Sequence, residues 1–263
     1  MSEPFVERRK PKGIRRGVSI LPVLFTIGNL FCGFCAILHT FHGRYEFAAR
    51  LIGIAIVLDL LDGRIARMTG TTSEFGGELD SLADVISFGV APATLLFSWG
   101  CDFDPVIGRL GWGAAFLFVT CGALRLARFN VQRNVVDSRY FIGLPIPAAA
   151  AQVAAVVHAA PIPITERTVA AIVLVASTCL GLLMVSTLRY RSFKSFDMRS
   201  RRSYLQVLLI AAAIAAIFVH PQWVLLAAAT AYTVSGPIMQ VVSSVRRRGD
   251  TPPPMVPHEA PLA

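Results

Sequence analysis

Four aspartates and an arginine stand at helical spacings between positions 59 and 84. They read Asp59-Leu-Leu-Asp62-Gly63-Arg-Ile-Ala66-Arg67, eight further residues, then Gly76-Gly-Glu-Leu-Asp80-Ser-Leu-Ala-Asp84. Asp59 and Asp62 are three apart and Asp80 and Asp84 four apart, so on helices each pair projects from one face. Hard carboxylate oxygens suit Mg²⁺ or Mn²⁺, and bound Mg²⁺ keeps positions open for phosphate oxygens. Gly63 and Ala66 leave one strip of the helix bare, so a ligand can approach its backbone. Arg67, one turn on, carries the planar fork that matches phosphate. Two divalent cations, a phosphate-binding arginine and a carboxylate for proton transfer are the parts of a phosphoryl-transfer site. Asp84, deepest in its helix, is placed to take the proton of an incoming hydroxyl.

The surroundings make these charges expensive. Leu51-Ile-Gly-Ile-Ala-Ile-Val-Leu58 precedes them, and Val85-Ile-Ser-Phe-Gly-Val-Ala-Pro-Ala-Thr-Leu-Leu-Phe97 follows. A carboxylate at membrane depth costs roughly 2.5–3.5 kcal/mol, so four uncompensated ones would cost on the order of 10 kcal/mol, the stability of a whole domain. Salt bridges cannot neutralise the cluster, because Asp59, Asp62, Glu74, Glu78, Asp80 and Asp84 have only Arg64 and Arg67 nearby in sequence. Divalent cations can. The rival of another class is a non-enzymatic membrane protein that binds or conducts a divalent ion, since intramembrane acids also mark ion paths.

The elements that must position these residues are membrane helices. With 54% hydrophobic and 16% charged residues, the 263-residue chain has the composition of a polytopic membrane protein. Apolar stretches of spanning length fall near 19–41, 46–68, 79–100, 110–129, 143–160, 166–188, 203–219 and 221–242. The first is too long for a cleavable signal and is interrupted by Thr26 and Asn29. The predicted fold is thus an all-α bundle of about eight transmembrane helices. With both termini in the cytoplasm, all but Arg44, Arg50, Arg109 and Arg167 of the 25 basic residues fall on the cytoplasmic side. Trp99, Trp112, Trp223 and Tyr45 fall near the opposite ends, as interfacial aromatics should. The net charge of +9 is therefore topological, and no soluble surface remains to bind nucleic acid; anionic membrane lipids are the better partners. A basic cytoplasmic segment, 1–18, leads into a membrane-embedded catalytic domain, 19–245, and a basic then Pro-rich disordered tail, 246–263. Cys32-x-x-Cys35 lies in an apolar span without a nearby histidine and reads as packing.

The turn residues of Met68-Thr-Gly70-Thr-Thr-Ser-Glu-Phe-Gly76-Gly77 let the two aspartate helices fold back antiparallel, so the four carboxylates converge just inside the cytoplasmic face. Arg125 and Arg128, three apart on one helix face, stand at that same end. They fit the carboxylate of an amino-acid acceptor, against the plainer reading that they obey the positive-inside rule. A glycerol phosphate acceptor would also use arginines.

The pattern D-x2-D-G-x2-A-R-x8-G-x3-D-x3-D resembles the signature of the CDP-alcohol phosphotransferases, with every fixed position matched. The resemblance implies a six-helix core, a CDP-linked lipid or alcohol as donor, and divalent metal used to displace CMP. It implies Asp59, Asp62, Asp80 and Asp84 as metal ligands, with Asp84 also the proton acceptor. Gly63, Ala66, Arg67 and Ser73 match positions that contact the CDP lipid. Further stretches are similar to the phosphatidylserine synthase branch of that family: Leu21-Pro-Val-Leu-Phe-Thr26-Ile-Gly-Asn29-Leu-Phe-Cys-Gly33-Phe, Ser87-Phe-Gly89-Val-Ala-Pro92-Ala, Leu124-Arg125-Leu-Ala-Arg128-Phe-Asn130 and Phe141-Ile-Gly143-Leu-Pro145-Ile-Pro147. They add Thr26 and Asn29 as expected CDP-lipid contacts and Arg125 and Arg128 as expected acceptor contacts. The expected reaction is transfer of a phosphatidyl group from CDP-diacylglycerol to L-serine, with two Mg²⁺ or Mn²⁺ ions, at the cytoplasmic face of the cell's inner membrane. Glycerol 3-phosphate or an inositol phosphate is the alternative acceptor, and a homodimer is left open.

Overall fold

Apolar chain in a bilayer has no water to satisfy its backbone, so each run must bond internally as a helix. The computed structural model describes residues 20–70, 73–132, 140–191 and 218–249, with isolated positions between 208 and 216. Helix α1 is Ile20–Phe41 and α2 is Tyr45–Thr69. A third run comprises α3, Glu74–Asp84, a π-helical turn, Val85–Val90, and α4, Ala91–Gly100. Then come α5, Pro105–Gln132, α6, Ile146–Ala159, α7, Arg167–Val185, and α8, Pro221–Gly249. The only strands among the described residues are β1, Tyr140–Ile142, and β2, Arg189–Arg191, paired antiparallel with Phe141 opposite Tyr190. The protein is all-α and polytopic, with this one ribbon added.

Four runs among the described residues are long and apolar enough to cross a membrane: Leu21–Phe41, Glu74–Gly100, Pro105–Val131 and Arg167–Val185. Helix α2 has the length, 25 residues, but carries the charges of the candidate site. Helix α6 is apolar and shorter, at 14 residues. The expected span 203–219 lies largely outside the described residues, as do the segment 1–18 and the Pro-rich tail from 251 onward.

The bundle is packed with small residues inside and large ones outside. On α1 the buried positions are Pro22, Thr26, Asn29, Gly33, Ala36 and Thr40, alternately four and three apart, which is one continuous helix seam. Leu24, Phe31 and Phe34 point outward. Facing this seam, α2 buries Ala48, Ala49, Ile52, Ala55 and Asp62. Small side chains let membrane helices approach closely, because lipid is as apolar as leucine and gives no reason to bury large ones. Gly33 shows how close: a Cβ there would stand 2.7 Å from Ser87 Cα.

Two caps turn α2 back into α3. Gly70, at φ 62°, ends α2 in the left-handed conformation and its N–H bonds Ala66 O. Ser73 begins α3, its Oγ accepting from Gly76 N at 3.0 Å. Further along, Pro92 has no N–H for the carbonyl four residues back, and the π-helical turn lies immediately before it. The far end of this run is tied down by Trp99 Nε1, which donates to Ala160 O and Ile162 O, both at 2.9 Å.

Candidate active site

The α2–α3 hairpin brings the aspartates together. Carboxylate oxygens of Asp59, Asp62 and Asp80 all lie within 4.8 Å of one another. Asp62 is buried and the other two are half-buried. Asp84 stands one turn deeper, buried, and is not part of that closest trio. Among the described residues Asp59, Asp62 and Asp84 enter no ion pair; the recorded pairs lie at the opposite end of the bundle.

Helix α1 fixes two of these carboxylates with neutral donors. Thr26 Oγ1 is 3.1 Å from Asp62 Oδ2 and equally far from Pro22 O, so its single hydrogen is shared between them. Asn29 Nδ2 donates to Asp84 Oδ1 at 3.4 Å. Ser87 Oγ in turn donates to Asn29 O at 3.0 Å, which clamps α1 onto the π-helical turn at the contact that Gly33 permits. Thr26 and Asn29, expected at the CDP lipid, also hydrogen-bond acidic side chains.

The remaining predicted residues divide. Arg67 folds back over the bare strip of α2: a Cβ at Gly63 would sit 3.6 Å from its Nη1. Its charge reaches Asp59 and Asp62. Ala66 lies half-buried on the same helix. Ser73 is exposed and spends its oxygen on capping α3. Arg125 is brought to the aspartates, near enough to Asp84 to interact electrostatically. Its Nε is buried and, among the described residues, finds no hydrogen-bond partner. Arg128 is exposed. The structure thus distinguishes two arginines that the spacing alone treats alike.

Sequence reasoning passed over three contributors. Ser87 holds Asn29, Asn130 Nδ2 donates to Ser81 Oγ at 2.9 Å between the two aspartates of α3, and Tyr232 of α8 stands within electrostatic reach of Arg125. The first two lay inside stretches already quoted. Tyr232 lies on an apolar helix remote in sequence and carries no local signal.

The trio fits a divalent cation. Oxygens bound to one Mg²⁺ at about 2.1 Å sit about 3–4 Å apart, so small side-chain rotations close the gap. Second partners that orient the ligands, here Thr26 and Asn29, are what metal-binding carboxylates normally have.

Fold and site together define an integral membrane protein with a carboxylate site for a divalent metal. The chain belongs to the CDP-alcohol phosphatidyltransferase family, whose model matches residues 19–183; the family is metal-dependent. It is similar to the CDP-diacylglycerol–serine O-phosphatidyltransferase of Helicobacter pylori, 44% identical over 177 residues that cover 66% of this chain and 73% of the relative. The Bacillus subtilis protein of the same name is 36% identical over 178 residues, 67% of this chain and 93% of the relative. The one from Methanocaldococcus jannaschii is 46% identical over 125 residues, 48% and 54% respectively.

Proposed function

We propose that this enzyme transfers the phosphatidyl group of CDP-diacylglycerol to L-serine, forming phosphatidylserine and CMP. The convergence of α2 and α3 carboxylates near Arg125, half-buried with its Nε enclosed, carries the reading. The relatives' names supply the two substrates. Asp59, Asp62, Asp80 and Asp84 are the residues that would hold two ions of Mg²⁺ or Mn²⁺. When bound, such ions neutralise the diphosphate and its leaving group.

The chain's own residues do the rest. Gly63 and Ala66 let the nucleotide lipid lie against α2, Arg67 binds its diphosphate, and Ser73 contacts it from the connecting loop. Thr26 and Asn29 keep Asp62 and Asp84 aimed. Asp84 accepts the proton of the serine hydroxyl. That oxygen forms its bond to the phosphorus bearing the diacylglycerol, the bond to the bridging oxygen breaks, and CMP leaves. Arg125, with Arg128 nearer the surface, binds the serine carboxylate.

An acceptor panel tests this. Purified protein with CDP-diacylglycerol and Mn²⁺ or Mg²⁺ should release CMP with serine, and far less with glycerol 3-phosphate or inositol phosphate. Release driven only by another acceptor overturns the choice of serine; no release with any acceptor favours the ion-binding rival. We place residues 19–245 in the membrane of the cell, with the site and both termini in the cytoplasm. A reporter fused after Pro257 that is active only on the outer side overturns that placement.

A further inference from the structure

Helix α8, beyond the residues 19–183 that the family model matches, packs mainly on α6. Thr233 Oγ1 donates to Gln152 Oε1 at 3.4 Å and Gln152 Nε2 to Thr230 Oγ1 at 3.2 Å, locking the two together. From β2, Tyr190 Oη donates to Thr233 O at 3.2 Å, in place of the N–H that Pro237 lacks. Between α8 and α7 an apolar groove of about 280 Å³ remains, closed behind by α6 and α4. Leu96, Trp99, Val153, Val157 and Leu180 form its buried floor. Ala176 and Cys179 of α7, with Thr230 and Val234 of α8, form its exposed rim.

The groove runs along the helices. On α7 it extends from Val173 to Leu183, about 15 Å at the helical rise of about 1.5 Å per residue. That is half the ~30 Å hydrocarbon core of a bilayer, the depth that the acyl chains of one leaflet occupy. Each polar side chain in the wall already has a protein partner. Besides the Gln152 bonds, Ser177 Oγ donates to Leu174 O at 2.8 Å and Trp99 Nε1 to the carbonyls of Ala160 and Ile162. Water or a polar ligand therefore gains little there, while an empty void would forfeit dispersion contacts along its whole length. The rim opens onto hydrocarbon, because α7 is one of the spans.

We propose that this groove binds one acyl chain of a bilayer phospholipid, held as a wedge between α7 and α8. The occupant is a resident lipid and not the CDP-activated donor, since none of the lining residues belongs to the candidate active site. The inference needs only the placement of these helices in a membrane and holds whichever acceptor the enzyme takes.

Trp99, 4% exposed, reports on the groove from within. With Trp112→Phe and Trp223→Phe it becomes the single tryptophan of the chain. In vesicles of phosphatidylcholine brominated along its acyl chains, this protein should lose most of its tryptophan emission relative to unbrominated vesicles. Ala176→Phe, which fills the groove from its rim, should restore the emission. Val234→Phe fills it from α8 and decides if the first variant does not accumulate; a cooperative melting transition shows that either is folded. Unchanged emission in brominated vesicles overturns the proposal, and would be seen if the chain's own span expected at 203–219 filled the groove. Quenching that persists in the filled variant also overturns it, because it then comes from lipid around the protein. Quenching that appears only on adding brominated CDP-diacylglycerol assigns the groove to the donor and overturns the resident lipid.

Discussion

The two ends of the bundle treat acidic residues in opposite ways. At the end away from the hairpin Glu46 and Asp104 each have a base: Glu46 pairs with Arg50 and lies 3.8 Å from His158, and Asp104 accepts from Arg167 Nε at 2.8 Å. Asp104 also caps α5, taking the N–H groups of Val106 and Ile107 at 2.9 and 3.1 Å. At the hairpin end the side-chain hydrogen bonds to Asp62 and Asp84 among the described residues come from neutral donors, Thr26 and Asn29, while three carboxylates crowd together. Paired acids contribute to folding; crowded ones cost stability and make a set of oxygens that could hold a divalent cation. The difference separates what holds the protein together from what it uses.

The sharpest break of this contrast is at the crowded end. Asp59→Asn or Asp80→Asn should abolish CMP release, while the metal-free protein melts at the same temperature or higher because a like charge is gone. A large fall in Tm with turnover retained would reverse the contrast, as would normal turnover in excess chelator. Next, Arg125→Ala should lower kcat/KM for serine about tenfold to a hundredfold, as loss of a charged hydrogen bond does. Arg128→Ala should do less, because that side chain is exposed; equal effects would erase the distinction between them. Thr26→Val should weaken activation by Mn²⁺ about tenfold or more, read from a metal titration of CMP release.

The smallest effect belongs to the other end. Asp104→Ala should lower Tm by a few degrees and leave kcat unchanged. The Ile107 N–H, with those of Val106 and Arg167, holds the Asp104 carboxyl below the usual carboxylate range. Its contribution is therefore complete above the ordinary value of about 3.9 and is lost as pH falls below that. Melting curves of the two proteins should stay apart at about pH 6 and converge as pH falls below about 4; divergence there would show that Asp104 is not stabilised as its anion.

The aspartate spacing revealed the hairpin because two periodicities, three and four, are local properties of helices. Gly70 and Ser73 fell among residues already read as a turn, and they became the two caps. Hydropathy located the helices in the described regions, though α5 begins at Pro105, ahead of the expected 110. What stayed hidden depends on contacts between distant segments. Nothing in Thr26 or Asn29 says that each will face an aspartate on another helix, and nothing in β2 says that Tyr190 will replace the N–H that Pro237 lacks. Charge spacing also could not separate Arg125 from Arg128, because burial is decided by the helices packed around them.

The π-helical turn at Val85–Val90 works as a vernier within one span. One extra residue in a helix rotates everything beyond it by about 100° relative to an uninterrupted α-helix. The aspartate half can thus keep phase with α2, and the Trp99 half with the carbonyls at 160 and 162, though no regular helix need satisfy both. Deleting a single residue between 85 and 90 would swing one half out of alignment, however conservative the chemistry. Within this span, length is the least forgiving variable.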